Sequence, residues 1–123
     1  MSTQTYRDLV VWQKSMDLVI SIYQLCRHFP DSERFGLTSQ LQRAAVSIPS
    51  NIAEGYGRLN PGDYARFLIT ARGSLMEVET QLQIALHLGY IEDSTGKTTW
   101  NLMQDVGRLL NRLTRVVQHS RAS

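Results

Sequence analysis

Tyr64, Leu68, Ala71, Leu75, Val78, Leu82 and Ala85 are separated alternately by four and three residues, and no other feature of the chain restricts its fold as strongly. That spacing holds an apolar stripe on one side of an α-helix for about six turns. A strand would require alternation every second residue, and the chain shows no such alternation anywhere. The helix opens after the turn Asn60-Pro61-Gly62, with Asp63 as a capping acid at the positive end of the helix dipole, and closes before Gly89, a residue suited to a C-terminal cap.

The same period recurs three more times. In the first segment Trp12, Met16, Val19, Ile20, Tyr23 and Cys26 form one apolar stripe, and Val11, Leu18, Ile22, Leu25 and Phe29 form another. Phe29-Pro30 ends it, since the residue before proline is biased away from helix. In the second segment Leu41, Ala45, Ile48 and Ile52 keep one phase through Pro49. A proline inside a helix removes a donor and costs about 3 kcal/mol, yet a true break would reset the phase. A kinked, continuous helix is therefore expected; in the alternative, two shorter helices, Asn51 caps the second and Glu54 completes a capping box. In the last segment Thr99, Met103, Val106, Leu110, Leu113 and Val117 make the inner stripe, after a polar loop at 92–97.

These periods predict helices at about 8–28, 35–57, 63–88 and 97–118. Short connections between neighbours make them antiparallel. The expected fold is all-α, an up-down-up-down antiparallel four-helix bundle forming a single domain over residues 1–123, with the second helix kinked near Pro49.

Each helix of a lone bundle needs only one inward stripe, and the first and third helices carry two. Water-facing apolar stripes on both would exceed what soluble monomers usually expose, so self-association is expected. Its candidate contacts are Val11, Leu18, Ile22 and Leu25 on the first helix and Ile69, Gly73, Met76 and Ile84 on the third. Gly73 costs about 1 kcal/mol relative to alanine in mid-helix unless a backbone must come close.

Chemistry is harder to find. The single cysteine, Cys26, permits no internal disulfide, and its simplest role is that of a small buried apolar side chain. His28, His87 and His119 occupy no metal-binding spacing, and Glu77 and Glu79 lack the Glu-x-x-His pattern of di-iron bundles. The glycines at 55, 57 and 62 are not followed by Lys-Ser/Thr, so no phosphate loop is present. An enzyme is not expected, nor is a cofactor, a metal or a small-molecule substrate. No run of about 18 apolar residues reaches a membrane span, and the polar start MSTQTYRD lacks the apolar core of a secretion signal. A cytoplasmic protein is expected.

Charge is unevenly placed. Residues 1–94 hold eight Lys/Arg and ten Asp/Glu, whereas residues 95–123 hold five and one. Arg108, Arg112, Arg115 and His119 share a helical strip opposite the inner stripe, and Arg121 follows. The four arginines are candidates for contact with nucleic-acid phosphates or an acidic partner, against the simpler reading of a solvated outer face. Arg43, Ser47, Ser50 and Glu54 form a second polar strip, read as solvated, as an ion-pair network, or as a ligand site.

The stretches "VVWQKSMDLVISIY", "FPDSERFGLTSQLQRAAVSIPSNIAEGYGR" and "RFLITARGSLMEVETQLQIA" together resemble the small bacterial four-helix bundle proteins encoded in intervening sequences of large-subunit ribosomal RNA genes. The resemblance spans roughly residues 6–91. It implies a homopentamer and a relationship to accessory proteins of diversity-generating retroelements, which are basic and work with a reverse transcriptase and RNA. Carried over by position, its motif covers Arg43, Ser47, Asn51, Glu54, Gly55 and Arg58, then Phe67, Gly73, Ser74, Glu77 and Gln81; with Pro49, these are expected to serve fold and assembly. The function implied is a pentameric scaffold that binds RNA or a nucleoprotein. The alternative is a protein-interaction module with no nucleic-acid role.

Overall fold

A computed structural model describes residues 5–122, with side chains through Ser120. Four α-helices follow a 3-10 turn at Tyr6–Asp8: α1, Val10–Cys26; α2, Leu37–Tyr56; α3, Pro61–His87; and α4, Asp93–Ala122. A second 3-10 turn, Asp31–Glu33, lies between α1 and α2, and no strand occurs among the described residues. Each helix packs on its two cyclic neighbours, α1 on α2 and α4, α3 on α2 and α4, and the backbones of the diagonal pairs stay apart. The expected four-helix bundle is the fold of the chain.

The strongest stripe forms as its spacing dictates, with Leu68, Ala71, Leu75, Val78, Leu82 and Ala85 all buried. The ends of α3 follow from local chemistry. It starts two residues before Asp63, because Asn60 is the cap: its Oδ1 accepts from the backbone N–H of Gly62 at 2.6 Å and of Asp63 at 3.3 Å, and Pro61 fills the first turn. At the other end Gly89 has φ of +76°, Tyr90 N–H reaches Ala85 O at 3.0 Å and Gly89 N–H reaches Leu86 O at 3.1 Å. This paired bonding past a left-handed glycine is a Schellman cap.

Helix α4 begins at Asp93, so most of the polar stretch expected as a loop is its first turn. Gly96 explains the shift. It is buried, with Ile91 Cδ1 3.7 Å and Leu86 Cδ2 3.9 Å from where a Cβ would stand, so the turn can lie against the end of α3.

Helix α2 runs unbroken through Pro49, which is buried, so the two-helix alternative does not hold. Asn51 is not a cap. Its Nδ2 reaches back one turn to donate to Ser47 O at 2.8 Å and Ser47 Oγ at 2.9 Å.

On α1 the core draws on both stripes, since Val19 and Cys26 of the one are buried together with members of the other. Val11, Leu18, Ile22 and Leu25, expected at a subunit contact, are core residues of the single chain, with Leu18 and Ile22 fully buried. A polar contact accompanies this rotation, since Ser21 shares a hydrogen bond with Thr99 of α4. Burial pushes the Cys26 thiol up to about 11, in keeping with an inert packing residue.

At the end of the bundle where α1 leads into α2, Glu33 joins two loops. Its Oε1 accepts the Leu37 N–H at 3.0 Å, which caps α2, and its Oε2 accepts the Tyr90 hydroxyl at 2.7 Å from beyond α3. Phe29 and Tyr90 rings meet alongside, 5.6 Å between centroids. The Leu37 N–H, then the Tyr90 hydroxyl, hold the Glu33 carboxyl below its ordinary value. A depressed carboxylate adds stability above its unfolded pKa of about 4.3 and loses it as pH falls through the folded value. Glu33→Gln is therefore expected to lower Tm at pH 7, with the difference from the parent shrinking towards pH 3 in a series of thermal melts.

Candidate assembly and binding surfaces

Four surfaces surround the core. On the α1/α2 side, Met16, Ile20 and Tyr23 face outward, with Ile20 56% exposed, and Val46 of α2 is exposed beside them. Between these helices runs an apolar groove of about 290 Å3 that includes Trp12, Met16, Val46 and Pro49. Pro49 thus lies in a surface groove as well as inside its helix. Ile20 and Tyr23 share their stripe with Val19 and Cys26, which are buried.

The α3/α4 side is the opposite wall of the bundle, because α1 and α3, and likewise α2 and α4, lie diagonally with their backbones apart. Here Ile69, Met76 and Ile84 are exposed, as expected for assembly residues, with Ile69 52% exposed. A Cβ at Gly73 would meet nothing within 4 Å, so Gly73 makes no close contact inside its own bundle. Ile69, Gly73 and Met76 line one wall of a groove of about 560 Å3, and Asn111, Thr114 and Arg115 of α4 line the other.

Arg108, Arg112 and Arg115 are all exposed on α4. Arg108 bonds Asp105, whereas Arg112 and Arg115 form no ion pair with any described residue. His119 bonds back to the Arg115 carbonyl through Nδ1 at 2.9 Å. The Arg121 side chain lies outside the described residues. Arg72 of α3 joins Arg115 in the groove. Sequence reasoning missed Arg72, because it sits between stripes on α3 and its nearness to Arg115 depends on how α3 and α4 are rotated against each other.

The fourth surface is the α2/α3 seam, where most of the motif residues meet. Ser47 and Ser74 hydroxyls bond across it at 2.8 Å, with Ser74 buried. Arg43, Glu77 and Gln81 border the same depression. Further along, Gly55 lies directly on α3: a Cβ there would stand 2.8 Å from Phe67 Cβ and 3.0 Å from Tyr64 Cδ1. Glu54 pairs with Arg58 at 3.9 Å on the exposed surface, and the Arg58 guanidinium lies 4.7 Å from the Phe67 ring centroid. Burial, with Tyr56 adding to it, pushes the Tyr64 hydroxyl up to about 12, so it stays neutral. Arg43 and Glu54 do not pair with each other, in line with the three helical turns between them.

No group of three or more His, Cys, Asp or Glu able to hold a metal occurs among the described residues. No helix of the described chain is long and apolar enough to cross a membrane.

The packing and the seam define a small up-down helical bundle of antiparallel neighbours joined through small residues. The chain belongs to the 23S rRNA-intervening sequence protein family, whose model matches residues 7–112. A solved structure similar in fold is a protein of unknown function from the S23 ribosomal protein family of Bacteroides thetaiotaomicron. It shares 23% identity at a TM-score of 0.76, covering 85% of this chain and 98% of the other. A comparison with curated proteins gave no match. The family description and that of the solved structure name no reaction.

Proposed function

We propose that the protein is a non-enzymatic, self-associating scaffold of the cytoplasm that holds RNA or a nucleoprotein on the basic side of α4. The observation that carries the reading is the pair of apolar faces on opposite walls of one bundle, Met16, Ile20, Tyr23 and Val46 on one side and Ile69, Met76 and Ile84 on the other. A two-fold dimer would pair one face with its own copy and leave the other in water. Joining unlike faces head to tail covers both, and such contacts form a ring when the rotation between subunits closes. Five subunits is the number that the family resemblance implies.

Ring closure repeats the α4 arginines around the assembly, and each phosphate neutralised releases condensed counterions. Binding to a structured RNA is therefore expected to weaken steeply with salt in mobility-shift titrations. The triple change Arg108→Gln, Arg112→Gln, Arg115→Gln should reduce the slope of log K against log salt by about 2–3. No shift at about 50 mM salt would contradict the RNA reading and leave a protein partner as the occupant of this surface.

A further inference from the structure

Gly73 stands in the middle of α3 with no use for a glycine inside its own chain. It makes no turn, its φ is not positive, and no atom of the bundle lies within 4 Å of where a Cβ would stand. A helix interior favours alanine over glycine, so the reason for Gly73 lies outside the bundle. The α3 wall of the adjoining groove is Ile69, Arg72, Gly73 and Met76, positions i, i+3, i+4 and i+7. Four residues at those positions form the hole that receives one side chain of a facing helix in knobs-into-holes packing. With no Cβ at Gly73 the hole is deepened at one corner, and a branched side chain fits.

The opposite wall of the bundle carries a knob of matching position. Met16, Ile20 and Tyr23 are exposed along α1 at i, i+4 and i+7, and Ile20 is the most exposed of the three. Met16 to Tyr23 and Ile69 to Met76 are both seven-residue steps, about 10.5 Å of helix, so aligning the two rows sets Ile20 level with Gly73. α1 and α3 run in the same direction in an up-down bundle, and rotation about an axis along the bundle preserves it. The rows then meet in parallel, Met16 beside Ile69 and Tyr23 beside Met76. Charge agrees with this alignment. Asp17, exposed and three residues before Ile20, is in no ion pair with any described residue, and neither are Arg72 and Arg115 of the groove. In a parallel pair the Asp17 side of Ile20 and the Arg72 side of Gly73 fall on the same flank. We propose that Ile20 of one copy inserts into the Ile69, Arg72, Gly73, Met76 hole of the next, with Asp17 paired to Arg72 at the rim. The pairing rests on self-association and adds which side chains meet and in which direction; it does not depend on RNA or on the number of subunits.

Full-length chains carrying Ile20→Cys and Gly73→Cys separately, mixed and mildly oxidised, test this, with the mass of the parent measured by light scattering in parallel. A disulfide-linked dimer is expected on non-reducing gels from the mixture and not from either variant alone, since the native Cys26 is buried. Asp17→Arg should weaken association about tenfold, read from the protein concentration at half assembly, and Arg72→Asp in the same chain should restore it. Gly73→Leu fills the hole with a good helix former, so it should weaken association while leaving the helical circular-dichroism spectrum unchanged. A parent mass above 14.0 kDa with no more crosslinking in the mixture than in the single variants, or with no rescue by the charge exchange, would overturn the pairing and leave self-association standing. A parent mass of 14.0 kDa would overturn both.

Discussion

Leu18→Ala is expected to destabilise the protein by about 2–5 kcal/mol, the range for removing a large aliphatic side chain from a packed core. Leu18 has no exposed surface within a single chain, between Ile22 and Val11 on the inward stripe of α1. Urea unfolding at fixed protein concentration should show the midpoint falling with little change in slope. Ile20, two residues on, faces water. Ile20→Ser should leave the fold intact and weaken self-association, which size-exclusion chromatography across a dilution series would reveal. A stable Leu18→Ala variant with lost association would return Val11, Leu18, Ile22 and Leu25 to the subunit contact.

Gly55→Ala and Gly73→Ala should change stability in opposite directions. Alanine favours a helix over glycine by about 1 kcal/mol when nothing else intervenes. At Gly73 nothing in its own chain lies within 4 Å of the new Cβ, so that gain is expected for the fold of the single chain. At Gly55 the Cβ would stand 2.8 Å from Phe67 Cβ and 3.3 Å from the Tyr64 carbonyl oxygen. Both obstacles are fixed by the α3 backbone, so α2 and α3 must separate, and overpacking of this kind costs about 1–3 kcal/mol. The crossing wins over propensity, and Gly55→Ala should lower Tm. A rise in Tm at both positions would show that α2 does not press on α3 at Gly55.

The sequence conveyed the fold through repeated spacing, and it conveyed much less about rotation. Leu68 to Ala85 could be read directly because that stripe is the longest and most regular on its helix. Helix α1 carries two stripes of similar apolar content, and periodicity does not say which one points inward. The choice depends on how α1 packs on α2 and α4, where Ser21 bonds Thr99, 78 residues away in the chain. The first turn of α4 was obscured by its composition, Asp93-Ser-Thr-Gly-Lys, which describes a loop unless Gly96 is known to be covered by Ile91 and Leu86. Asn60 and Asp63 are both good caps, and Pro61 between them decides in favour of Asn60 because it suits the first helical position.

The candidate surfaces were legible in parts. Ile69, Gly73, Met76 and Ile84 face outward as their stripe suggested, and the α4 arginines are exposed. Their conjunction across helices was not, since Arg72 with Arg115, and Arg43 with Glu77 and Gln81, come together only through helix pairing. Pro49 was legible as an interruption that the helix survives. Its place in the α1/α2 groove, beside Trp12 and Met16, follows from packing that no local pattern encodes.

Self-association through two unlike faces is the central claim, and the mass in solution tests it most directly. Light scattering coupled to size exclusion, at micromolar concentration, should give about five times the 14.0 kDa of one chain. A mass of 14.0 kDa would mean that the apolar faces remain in water as single copies, and the scaffold reading would fall.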